Sequence, residues 1–285
     1  MHTFESSILE TIKARRSVRS YNNSLVASDV LDQLLSFASD HVTGPFGNTI
    51  RFQIVDARGF DPSSMKSLGT YGAIKGAKSY LVGISRPAEH VDEDFGFCME
   101  TAVLKATSLG LGSCWLGGYL NRSTFAELCH IVPEEIIAAV TPLGYASPRT
   151  TLRDKMIRKA VDGDKRRPFN TLFFAESFTK QLSYDEANPR HVLLEAVRQA
   201  PSASNKQPWR ILLTDNALHL YLDEDFPYNN RFEHVHMQNI DMGIAMAHIT
   251  WAAQTKGLLG KWEMLSTVIA HEKFTYISTW TSQAV

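Results

Sequence analysis

Asp94-Phe-Gly-Phe-Cys-Met-Glu-Thr-Ala-Val-Leu-Lys-Ala-Thr-Ser-Leu-Gly-Leu-Gly-Ser-Cys-Trp115 lies without a gap over Asp241-Met-Gly-Ile-Ala-Met-Ala-His-Ile-Thr-Trp-Ala-Ala-Gln-Thr-Lys-Gly-Leu-Leu-Gly-Lys-Trp262. The identities are Asp94/Asp241, Gly96/Gly243, Met99/Met246, Ala106/Ala253, Gly110/Gly257, Leu111/Leu258 and Trp115/Trp262. Phe95, Met99, Ala102, Val103 and Ala106 fall at helical spacing, as do Met242, Met246, Ile249, Thr250 and Ala253. Gly110 and Gly257 stand where a helix C-cap wants a residue that tolerates positive φ. The small residues on each stripe allow close approach, so the pattern predicts two copies of one long helix packed together.

A weaker match lies upstream. Leu34-Leu35 answers Leu193-Leu194, and Arg51-Phe-Gln-Ile-Val-Asp56 answers Arg210-Ile-Leu-Leu-Thr-Asp215. The offset shrinks between the two matches, which places extra residues of the first copy near 63–80. Periodicity predicts helices near 5–16, 28–40, 94–109, 123–130, 190–199 and 239–256. It predicts strands near 51–57, 79–85, 137–144, 209–215, 217–222 and 275–280. Turn or linker composition falls at 43–48, 161–168 and 179–189. The mixture is α+β, in two halves, 1–172 and 173–285, intertwined in one compact unit.

Composition narrows the function classes. The 285 residues carry 29 basic and 30 acidic side chains, so no nucleic-acid or membrane partner is expected. Two local clusters break that balance: Lys13, Arg15, Arg16 and Arg19, and eight basic against three acidic residues between Arg149 and Arg167. Concentrated charge in a neutral chain suits a small, highly charged ligand. Cys98, Cys114 and Cys129 are an odd set that argues against a disulfide framework. The N-terminal stretch lacks the apolar core of a secretory signal, and no run reaches membrane-spanning length. A reducing cytoplasm is the expected location.

Three segments carry candidate chemistry. Arg15-Arg-Ser-Val-Arg-Ser-Tyr21 can hold a phosphate through charge-assisted hydrogen bonds, although basic residues also favour a helix end. Ala200-Pro-Ser-Ala-Ser-Asn-Lys-Gln-Pro-Trp209 follows a helix that Pro201 stops. It offers hydroxyls, an amide and free backbone N–H groups to a planar ligand, or serves as a polar turn. Gly110-Leu-Gly-Ser-Cys-Trp-Leu-Gly-Gly-Tyr119 ends in a glycine pair whose N–H groups can face a ligand unobstructed, or is a helix cap and turn. His234, His236 and His248 lack a complementary carboxylate or cysteine set at metal-ligand spacing.

Together these segments resemble the nitroreductase family, whose members carry R-x-S-x-R-x-[FY], P-S-x-x-N-x-Q-P-W and G-L-G-x-x-W-x-G-G. Ordinary members hold all three in a half-length chain that dimerises around FMN. Here the first and third lie in the N-terminal half and the second in the C-terminal half. The resemblance is therefore to the tandem, fused branch, in which one chain mimics the family homodimer: central antiparallel-type sheets flanked by helices, internally duplicated.

The resemblance implies an oxidoreductase in which NAD(P)H reduces FMN at N5 and a small electron acceptor, such as a nitroaromatic or quinone, then reoxidises it. The alternative is a non-catalytic or degenerate flavin-binding protein. It implies that Arg15, Arg16 and Ser17 hold the phosphate and ribityl chain, and that Arg19 faces the pyrimidine edge. Trp115, Leu116, Gly117 and Gly118 would line the N5 side, and Lys165, Arg166 and Arg167 would close the phosphate site. Pro201, Ser202, Ala203, Ser204 and Asn205 would approach the ring from the other half. No protein acid, base or nucleophile is implied. The first half reads His41-Val-Thr-Gly-Pro-Phe-Gly-Asn48 where a second serine–asparagine loop would stand, and the second half has no RRS motif. One FMN per chain is expected in this pseudo-dimeric monomer.

Overall fold

The computed structural model describes residues 4–56, 74–117, 122–149, 151–232 and 235–282. At its centre, helix α3 (Val91–Ser108) crosses helix α9 (Met237–Thr255). The crossing depends on the repeated glycines. A Cβ on Gly96 would stand 2.1 Å from the Ile240 carbonyl oxygen, and one on Gly243 would stand 1.8 Å from that of Glu93. Only hydrogen fits between the two backbones there. Gly110 and Gly257, at φ 77 and 66, end the helices as the cap reading expects.

The expected one-sided stripes are wrong in one respect. Between Val91 and Ala106 every residue but Phe97 is buried. Further helices surround the seam: α1 (Ile8–Ala14) touches both long helices, α2 (Ser28–Asp40) packs on α3, and α7 (Pro189–Gln199) packs on α9. A helix enclosed on all sides has no solvent face to keep polar.

Strands β1 (Arg51–Asp56), β2 (Ser79–Ile84) and β3 (Val140–Leu143) form one antiparallel sheet in that order. Residues 112–116 extend it beyond β3, through Gly112 opposite Gly144 and Leu116 opposite Val140. The second sheet runs β5 (Ser177–Gln181), β4 (Phe173–Ala175), β6 (Trp209–Leu213), β7 (Ala217–Asp223), β9 (Phe274–Ser282), β8 (Gly260–Glu263). The order β1-β2-β3 plus 112–116 thus reappears as β6-β7-β9-β8. In each half a helix leads into two antiparallel strands, then the long helix, an edge strand and an inner strand. The chain is internally duplicated.

One pairing departs from the antiparallel expectation. β4 runs parallel to β6, with Phe173 opposite Ile211. Parallel neighbours need a crossover connection, and here β5 and α7 supply it. Short or polar elements also escaped the sequence reading: α4 (Arg122–Leu128) was expected, but α5 (Leu152–Ala160), α6 (Phe169–Leu172) and α8 (Phe226–Asn229) were not. Neither were β4, β5 and β8. On α5, Leu152 and Met156 are exposed and Asp154 is buried, so no apolar period marks the helix. β5 overlaps the expected 179–189 linker because its last residues, Thr179 to Gln181, are polar and not buried. The extra residues expected near 63–80 fall largely outside the described residues.

Candidate functional site

Past α1 the chain is extended, tied by Val18 N–H to the Ser113 carbonyl (2.7 Å) and by Tyr21 N–H to that of Lys75 (2.8 Å). This tether draws Arg15 inward until it is 5% exposed. Its Nε lies 3.9 Å from Glu100 Oε1, too far for a hydrogen bond, and has no other partner. Burial pushes the Arg15 pKa below its ordinary value, with Glu100 opposing. Exposed Arg16 donates to the carbonyls of Lys13 and Arg15. Ser17 bonds to the Cys114 thiol, which burial raises although Arg19 and Arg15 oppose it.

The 200–207 segment holds its shape through unusual backbone. Ser204, Asn205 and Gln207 have φ of 51, 55 and 50, a left-handed region that side chains ordinarily avoid. Their polar groups fix the turn: Ser202 Oγ accepts from Gln207 N–H at 2.9 Å, and Ala203 N–H donates to Asp241 Oδ1 at 2.9 Å. Ser204 Oγ lies 3.1 Å from the Tyr228 hydroxyl. Asn205 Nδ2 donates to the carbonyls of Asp162 (2.8 Å) and Lys165 (3.0 Å).

Arg166 bonds to the second segment and feels the charges of the first. Its Nη1 donates to Asn205 Oδ1 at 3.3 Å, and its Nη2 donates to the Gln199 carbonyl at 3.2 Å. Its Nε is buried without a partner. Burial first, then the cations Arg15, Arg16 and Arg198, push its pKa down to about 10, against the one carboxylate of Asp164. A cation depressed by its neighbours' charge gains most from an anion. Arg15, Arg16, Arg166 and Asn205 are therefore gathered in one place, with two buried guanidinium nitrogens unpaired.

Other expected residues go elsewhere. Arg19 donates to buried Asp154 on α5 at 3.3 Å. Lys165 pairs with Asp162 on the surface at 2.8 Å. Arg167 donates its amide to Gln207 Oε1 (2.8 Å), and its side chain lines a separate cavity of about 380 Å³ with Lys206, Arg210 and Asp223. Pro201 is buried, and so is Leu116, which pairs with Val140. Gly117 faces Met237, whose sulfur a Cβ would approach to 2.9 Å. Gly118 and His234 lie outside the described residues. Among those described, no group of three His, Cys, Asp or Glu is placed to hold a metal.

Sequence reasoning weighed His248 only as a metal ligand and missed Glu100, both of which lie inside the seam. Glu100 is fully buried on α3; its Oε2 accepts from Trp115 Nε1 at 2.7 Å, and its Oε1 lies 3.0 Å from His248 Nε2 on α9. His248 Nδ1 lies 2.8 Å from the Ala196 carbonyl on α7. The signal was available: a carboxylate and an imidazole stood in mid-helix within otherwise apolar positions of the repeat. Burial of such groups without partners is costly.

Three comparisons bear on this arrangement. The family model described as "Putative TM nitroreductase" matches residues 7–253. A curated relative from Methanothermobacter thermautotrophicus, described as "Putative NADH dehydrogenase/NAD(P)H nitroreductase", is 28% identical over 156 residues, covering 52% of this chain and 81% of its own length. A solved structure described as a putative nitroreductase from Thermotoga maritima MSB8 superposes with a TM-score of 0.58 at 21% identity, over 99% of this chain and 95% of its own. That likeness concerns the whole duplicated fold.

Proposed function

With the match spanning residues 7–253, the chain belongs to the "Putative TM nitroreductase" family of oxidoreductases, and on that premise we propose an FMN-dependent enzyme that passes hydride from NAD(P)H to a small acceptor such as a nitroaromatic or quinone. The observation that carries the flavin is the pair of buried, unpartnered Nε atoms on Arg15 and Arg166. An unsatisfied buried donor costs about 1–3 kcal/mol, and a phosphate oxygen would repay it for both guanidinia. The donor set fits a phosphate monoester. Arg15 and Arg166 would hold it, with Arg16 and Ser17 beside them.

Bound FMN would supply the hydride-accepting N5 and the redox couple. The chain's own part is to bind, orient and shield. Asn205 holds Arg166 from the 201–205 side, and Asp241 pins that loop through the Ala203 amide. Gly117 itself carries no side chain, at a point where a Cβ would meet Met237. We assign Arg19 to the pyrimidine edge, a role that requires it to exchange Asp154 for the ligand. The halves divide at 172/173, supported by β4 being the first strand of the second sheet. One FMN binds per chain, because the loop mirrored at 44–48 spends its polar groups on Asp94.

The test is the visible spectrum of purified protein given FMN, then NADH or NADPH without oxygen. A protein-bound flavin band that bleaches is expected. A band that stays marks a flavin-binding protein without turnover, and no bound band overturns the proposal. Arg166→Glu reverses a half-buried charge at the phosphate and is expected to weaken FMN binding ~100-fold or more.

A further inference from the structure

α7 ends at Gln199, and its last carbonyls have no partner within the helix. Two of them are taken by side chains. The Gln199 carbonyl accepts from Arg166 Nη2, and the Ala196 carbonyl, one turn earlier on the same face, meets His248 Nδ1. The same helix end thus anchors the arginine of the ligand site and a histidine in the seam.

The hydrogen bonds of His248 constrain its charge. Both ring nitrogens face acceptors, the Ala196 carbonyl and Glu100 Oε1. A carbonyl only accepts, so Nδ1 carries a hydrogen. A second proton must then lie between Nε2 and Oε1, since a bare nitrogen lone pair facing a bare carboxylate would be repelled. Whichever atom holds that proton, the two side chains together carry no net charge. Glu100 is also the nearest acid to Arg15, at 3.9 Å. Alone, it would cancel the charge of Arg15.

Resting on the flavin-phosphate reading above, we infer that Glu100 and His248 are positioning residues for Arg15. The imidazole neutralises Glu100 as a pair. Glu100 then packs beside the guanidinium without offsetting its charge, and the positive charge of Arg15 stays available to the anionic end of the ligand. Trp115, donating to Glu100 Oε2, keeps the carboxyl from turning away. Because Glu100 comes from the first half and His248 from the second, Glu100 is neutralised in this way only when the halves are packed together.

FMN and riboflavin share a ring and differ in the phosphate, so the ratio of their affinities reads the charge at Arg15. Both are titrated by quenching of flavin fluorescence against the full-length wild type, His248→Gln and the double variant Glu100→Gln/His248→Gln. His248→Gln leaves Glu100 as an uncompensated carboxylate, and FMN affinity is expected to fall about tenfold with riboflavin unchanged. The double variant removes that carboxylate, and the preference for FMN is expected to return. Equal losses for both ligands, an unchanged ratio in His248→Gln, or no recovery in the double variant would each overturn the inference. Should His248→Gln fail to fold, the double variant decides: retained preference supports the inference, and lost preference ends it. A wild type with no preference for FMN sinks the phosphate reading itself, a separate result.

Discussion

Asp94 and Asp241 occupy the same position in the two copies, near the start of their long helices, and each holds the loop before the matching strand of its copy, β1 or β6. At Asp94 the work is shared by both oxygens. Oδ1 accepts from Phe46 N–H at 2.9 Å, while Oδ2 accepts from Asn48 N–H at 2.8 Å and from its side-chain amide at 3.0 Å. Gly44 is so close that a Cβ would overlap the carboxylate, at 2.2 Å from Oδ1. At Asp241 one oxygen accepts from Ala203 N–H, and Oδ2 is buried with no partner. The first loop is closed on itself. The second keeps an unpaired acceptor at Asp241 and, through Asn205, meets Arg166, whose Nε is also unpaired, which is how a site differs from a scaffold built on the same plan.

The contrast can be broken where the copies should behave alike. Gly96→Ala and Gly243→Ala each drive a methyl into the opposing backbone, which cannot swing aside as a side chain could. Both are expected to lose about 3 kcal/mol or more in denaturant unfolding. A large loss in one and none in the other would mean that the helix seam is not symmetric.

It can be sharpened at Asp92, whose counterpart in the second copy is the neutral amide of Asn239. Asp92 accepts from His236 N–H at 2.8 Å, and burial raises its pKa from 3.8 to about 6. The unfolded chain therefore releases this proton first. The contribution to stability is full below the unfolded value and is lost as pH rises through that window, about 3 kcal/mol in all. Asp92→Asn is expected to flatten the fall between those two pH values. Parallel stability curves for variant and wild type would refute the assignment.

The smallest effect tests the loops themselves. An asparagine has one acceptor oxygen. Asp94→Asn therefore orphans one of two partly buried amides and should cost about 2 kcal/mol. Asp241→Asn keeps its single bond and removes a carboxyl that burial holds well above its ordinary pKa, so it should be neutral or stabilising near pH 7. Thermal melts showing equal losses would erase the distinction drawn between the two loops.

Much of this was legible in the chain. The repeat placed both long helices, and Pro201 marked the end of α7, because each depends on local spacing or on one residue's backbone. The site was legible in part. RRSVRSY and PSASNKQPW named the segments, but the fate of each arginine was not readable from them. Arg19 turns to Asp154, 135 residues away, and Lys165 turns to its neighbour Asp162. Arg166 alone among residues 165–167 reaches Asn205 with its side chain. Glu100 and His248 stood in plain sight within the repeat, yet their pairing spans 148 residues.

By itself, then, the sequence determined the duplication, the glycine contact between the central helices and the kinds of residue available to an anion. Those features repeat at short range, where helix and strand periods leave their mark. The tertiary structure alone decided which guanidinium nitrogens are buried and unpaired, which loop is closed, and that a carboxylate from one half meets an imidazole from the other. Such partnerships arise when distant segments are packed together, and no local period records them.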